Sequence, residues 1–107
     1  MKTIENANQV SIGGRQKVCP NEVIMLQADV NYSIIHLSDG TKLIVATTLK
    51  KLEERFRQFA FIRMNKSYLV NQQFVVEEHE NAMKLSNSII INFSRRRGRN
   101  WKERQTL

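Results

Sequence analysis

The apolar residues of this chain mostly alternate or run in short blocks of β-branched and aromatic residues, and only once does their period change. In TTLKKLEERFRQF the positions Leu49, Leu52, Phe56 and Phe59 are spaced three, four and three apart, which puts them on one face of a helix. Thr48 precedes the run as an N-cap, because its hydroxyl accepts from the N–H groups that a first turn leaves unpaired. Glu53 and Glu54 stand at helical distance from Arg57, a pairing that supports such a turn. The stretch predicts one amphipathic helix of about three turns with its stripe in a core. A chain with a single helical interval between strand-like runs is confined to β-rich architectures.

Before that interval, Gly13-Gly14 and Pro20-Asn21 punctuate short strands that lead to the β-branched run 23–26. Strands over 32–37 and 42–47 meet across Ser38-Asp39-Gly40-Thr41. Asp-Gly is a strong hairpin cue, since glycine accepts the positive φ of a tight turn. After the helix come FIRMNKSYLVN, FVVEEHE, NAMKLSN and IIINF, with Glu80-Asn81-Ala82 and Ser86-Asn87-Ser88 as turns, the second joining strands 82–85 and 89–93. Ser94 then caps a short basic helical turn, SRRRGRNWKER, that Gly98 interrupts. The expected fold is mostly β: a compact arrangement of short antiparallel sheets with one intervening amphipathic helix and a short C-terminal helical turn. A length of 107 residues suits one domain. That domain is expected over 13–107, after a flexible lead-in over 1–12.

Several function classes find no support. No apolar run approaches the ~18 residues that span a bilayer, and the N-terminus has no secretory h-region. The single cysteine, Cys19, excludes an intrachain disulfide and points to a reducing, cytoplasmic compartment. Cys19, His36 and His79 lack the paired spacings of a metal site, and no nucleophile, carboxylate pair or phosphate-cradling glycine loop is visible. No enzyme activity, cofactor or small-molecule substrate is expected. His36 reads as a half-buried sheet residue and His79 as part of a solvated turn. Glu77, Glu78 and Glu80 read as an acidic rim, because strand neighbours point to alternate faces.

Charge says more. The net charge is +7, and between Arg95 and Arg104 six cations stand against Glu103 alone, placing +5 of it in ten residues. Such a cluster attracts polyanions. FIRMNKSYLVN sets Arg63 and Lys66 among asparagines in a β-prone stretch. Burying unpaired charge is costly, so these residues either occupy a solvated loop or touch something anionic. Arg63 is equally suited to tying a strand to a carboxylate, whereas Tyr68, Leu69 and Val70 belong in the core. In LQADVNYSIIHL the polar Asp29, Asn31, Tyr32 and Ser33 lie where one strand hands over to the next. Three loops thus carry side chains that bond phosphate oxygens and base edges.

In this order LQADVNYSIIHLSDG, TTLKKLEERF, FIRMNKSYLVN and SRRR resemble the LytTR domain, the DNA-binding module of many bacterial response regulators and of some stand-alone transcription factors. The likeness covers roughly residues 13–102. It implies duplex binding through loops that enter successive major-groove segments, with two copies on direct-repeat half-sites and the DNA bent. Carried over by motif, the DNA-binding residues are Asn31, Tyr32 and Ser33, then Asn65, Lys66 and Ser67, then Arg96, Arg97 and Arg99. Arg96 suits guanine O6 and N7, Lys66 guanine or phosphate, Asn31 and Asn65 adenine or phosphate, and Ser67, Arg97 and Arg99 backbone positioning. Lys66 stands where the family often has arginine, so a point charge replaces a planar fork. Two alternatives share the charge and the β content: an OB-like binder of single-stranded RNA or DNA, and an interaction domain for an acidic protein.

Overall fold

The computed structural model describes residues 9–105. Its spine is a five-stranded antiparallel sheet in the order β5-β4-β3-β7-β6, built from β3 (Val23–Asp29), β4 (Tyr32–Leu37), β5 (Lys42–Val45), β6 (Phe61–Arg63) and β7 (Tyr68–Asn71). One face carries α1 (Leu49–Arg55) and the hairpin of β1 (Val10–Gly13) and β2 (Gln16–Val18). On the other face lies a three-stranded sheet in the order β10-β9-β8, from β8 (Val75–Glu78), β9 (Ala82–Leu85) and β10 (Ile90–Asn92). α2 (Arg95–Gln105) follows β10 directly.

Two cores result, one on each side of the spine. Ile12, Val23, Leu26, Ile35, Leu52, Phe56 and Leu69 pack on the α1 side. Ile24, Met25, Met64, Val70, Met83, Leu85 and Ile91 pack on the other. The run VIML feeds both because β3 is buried on its two faces, the situation that turns alternation into a continuous apolar block. A register irregularity between Val23 and Met25 places the neighbours Ile24 and Met25 on the same side.

Three expectations change. The expected lead-in over 1–12 runs into structure: Val10, Ser11 and Ile12 belong to β1 with Ile12 fully buried, while residues 1–8 lie outside the described residues. α1 has seven residues rather than three turns; Phe56 leaves helical geometry at its C-cap, yet stays in the core with its ring 4.8 Å from that of Phe61. Thr48 does cap the helix, accepting from the Lys51 N–H at 3.3 Å, and Arg57 pairs with Glu54 at 2.9 Å.

The third concerns Gly98. It does not interrupt α2, which runs unbroken for eleven residues. Its N–H donates to Ser94 O at 2.8 Å, and an added Cβ would sit 3.2 Å from Phe93 Cβ. Glycine lets the helix pass close to Phe93, whose ring stacks on Trp101 with centroids 6.1 Å apart. Close approach outweighs the ~1 kcal/mol that glycine costs a helix interior.

Candidate nucleic-acid interface

Antiparallel pairing of Gln27 with Tyr68 and of Met25 with Val70 sets the end of β3 beside the start of β7. The β3–β4 turn and the β6–β7 loop therefore leave the sheet at the same end. Backbone bonds join them: the Ala28 N–H donates to Ser67 O at 2.8 Å. On the loop's other side, the Ser94 N–H donates to Met64 O at 2.9 Å and Asn65 Nδ2 to Asn92 O at 2.7 Å. Strand register and a few main-chain bonds thus bring all three sequence-predicted segments together.

The middle loop is the most heavily braced. Arg63 donates through Nε to Asn65 O at 2.7 Å and through Nη2 to Lys66 O at 2.9 Å, while Nη1 meets Glu53 Oε1 at 2.7 Å. Its side chain is only 14% exposed, so this is a half-buried clamp. Of the two readings left open for Arg63, the tie to a carboxylate holds. Asn65 braces from within: Oδ1 accepts from the N–H groups of Ser67 and Tyr68 at 2.8 and 3.1 Å. Half-buried and engaged on both its oxygen and its nitrogen, Asn65 shapes the loop. Lys66 and Ser67 are left exposed at the tip, and the Lys66 ammonium has no partner among the described residues.

The β3–β4 turn consists of Val30 and Asn31. Val30 has φ +53° and is 93% exposed, a conformation strained for a β-branched residue. Asn31 is exposed, as is Tyr32 at 54%. Ser33 is a correction. It is fully buried, and its hydroxyl donates to Thr47 O at 2.6 Å. Alternation along β4 puts it on the inward face with Ile35, so it reaches no ligand.

α2 spreads the basic cluster around its axis. Arg97 shares one flank with Trp101 and Arg104, facing α1; Arg95, Arg99 and Lys102 share the other, beside Asn81. Lys102 Nζ lies 3.7 Å from Glu80. Arg96 is exposed with no side-chain partner among the described residues. Ser94 Oγ accepts from the Arg97 N–H at 3.4 Å, a long bond for a cap.

The remaining ionisable groups have structural tasks. Burial, with Lys42 nearby, holds His36 below the usual imidazole range, and its ring bonds to Gln27 Oε1 at 2.9 Å. Glu77 meets His79 at 3.1 Å and Lys84 at 3.9 Å on the exposed rim. Among the described residues, no three of His, Cys, Asp and Glu converge as a metal site, and no helix is long and apolar enough to cross a membrane. The sequence did not single out Val30, nor Glu53 as the carboxylate that Arg63 holds. Turn chemistry holds a signal for Val30, which sits between Asp29 and Asn31; nothing local singles out Glu53, which stands equally within helical reach of Arg57.

The profile of the LytTr DNA-binding domain family matches residues 14–105. The structure is similar to a solved LytTr DNA-binding domain from Bacillus cereus, with a TM-score of 0.71 at 15% identity, covering 89% of this chain and 92% of that one. No protein of curated function matches.

Proposed function

The chain belongs to the LytTr DNA-binding domain family, and from that premise we propose that it is a bacterial transcriptional regulator that reads double-stranded DNA with its three joined loops. The observation that carries this reading is the hydrogen bonding of the β6–β7 loop to the end of β3 on one side and to Asn92 and Ser94, just before α2, on the other, with Lys66 and Arg96 exposed and without a side-chain partner among the described residues. Lys66 and Arg96 contact base edges in successive major-groove segments, Arg96 as a bidentate fork on guanine worth ~1–3 kcal/mol of discrimination. Asn31 and Tyr32 extend the contact from the turn. Ser67 and Arg99 bond phosphates and set register; Asn65 works indirectly, by holding Lys66. Two copies occupy direct-repeat half-sites, in the cytoplasm.

Selection from a randomised duplex library tests this. The expected product is a pair of short direct repeats, with log K falling steeply against log[salt] at ~0.9 per phosphate neutralised. Equal affinity for single strands, equal affinity for an acidic protein at matched salt, or a flat salt response would each overturn the reading.

A further inference from the structure

Beside the Arg63 clamp the surface opens into a cleft of about 450 Å³ between α1, β6 and α2. Four guanidinium groups line it, those of Arg57, Arg63, Arg97 and Arg104, against the single carboxylate of Glu53. Glu53 is already bound to Arg63 at 2.7 Å. Arg57 pairs with Glu54 across solvent, both side chains being about two-thirds or more exposed, and such a pair is weak enough to redirect. Arg97 and Arg104 lie two helical turns apart on one flank of α2, and neither has an acidic partner among the described residues. Among the described residues, Glu53 and Glu54 therefore answer two of the four cations and Arg97 and Arg104 are left in surplus.

Its wall is not polar throughout. Ile62 and Trp101, each half-buried, contribute apolar surface between the arginines. A phosphate rail would leave that surface uncovered. A molecule with an apolar body and one terminal anion would satisfy both halves, and the volume falls within the roughly 300–1,000 Å³ of small-molecule sites. Guanidinium forks are weakly hydrated and match carboxylates in pairs of parallel hydrogen bonds.

We propose that this cleft is a binding site for an amphiphilic carboxylate, its chain lying over Ile62 and Trp101 and its carboxylate held by Arg97 and Arg104. The site lies on the flank of α2 that faces α1 and includes Arg97, expected from the sequence to position DNA; its occupancy does not depend on that assignment.

Trp101 is the one tryptophan of the chain, so its fluorescence reports on the cleft. Titration with decanoate below its micellar concentration gives a saturable change. Decanol, which lacks the charge, and acetate, which lacks the body, each bind about tenfold or more weakly. Arg104→Glu weakens decanoate about tenfold or more, and Arg97→Gln weakens it in the same direction. Lys102→Glu makes the same charge change as Arg104→Glu on the opposite flank and leaves decanoate affinity within about twofold. No saturable change, equal binding of decanol, or equal losses in Arg104→Glu and Lys102→Glu would overturn the proposal.

Discussion

The two ends of β4 are turned by hairpins that obey local rules to different degrees. At the β4–β5 end, Asp39 Oδ1 accepts from the Thr41 N–H at 2.8 Å, and Gly40 takes φ +92° with nothing within 4 Å of where a Cβ would stand. Residue type and conformation agree. At the β3–β4 end the turn is tighter, two residues against four, yet its strained position holds an exposed valine, followed by an asparagine. Only at this second end does the strand leading into the turn bond to the loop that carries Lys66, through Ala28 and Ser67. Local rules are broken where a sequence serves something besides its own fold, and the contrast sets a structural end against the working end of the proposed reading.

The largest effect is expected from Arg63→Ala at the working end. It releases Glu53 and two loop carbonyls together, lowering stability by about 2–4 kcal/mol and duplex affinity along with it. A melting temperature and affinity both unchanged would remove the clamp from the account. Lys66→Ala sharpens the division: duplex binding falls about tenfold at low salt, while thermal unfolding stays where it was because the exposed ammonium has no partner among the described residues. Gly40→Ala is the mirror case, costing about 1 kcal/mol of stability through backbone strain alone with duplex affinity intact. Lost affinity there would break the comparison.

Val30→Gly relieves left-handed strain against the extra chain entropy of glycine, and is expected to stabilise the protein by about 0.5 kcal/mol while weakening DNA binding. Denaturant titration beside a binding isotherm would show both signs. The smallest effect concerns Asp39. The Thr41 N–H holds its carboxyl below the usual range, so its contribution is present above the unfolded-state value and fades as pH falls through the folded one. The stability gap between wild type and Asp39→Asn should accordingly narrow below about pH 4; a gap constant across that range would leave the Asp39 bond without a role.

The parts of this fold legible in the sequence are those set by local chemistry. Asp39-Gly40, the Thr48 cap and the apolar spacing of α1 needed no distant partner. The two misplacements in the helices share one cause, since α1 ends where Phe56 turns toward Phe61 and α2 passes Gly98 because Phe93 lies beside it; both depend on residues brought together only by folding. In the candidate site, the three loops could be found from their polar character, but polarity alone does not say which way a side chain faces. For Ser33, membership of β4 outweighs the hydroxyl: alternation puts it on the inward face with Ile35. Asn65 is of the residue type that reads adenine, yet its amide is engaged by Ser67, Tyr68 and Asn92.

Met25 and Leu26 are neighbours in sequence and floors of different cores. A strand shared in this way leaves neither half of the molecule a surface on which to persist alone, since melting either side strips β3 of half its packing. Unfolding should therefore proceed as one cooperative step, and the slowest-exchanging amides of β3 should open only with the whole protein.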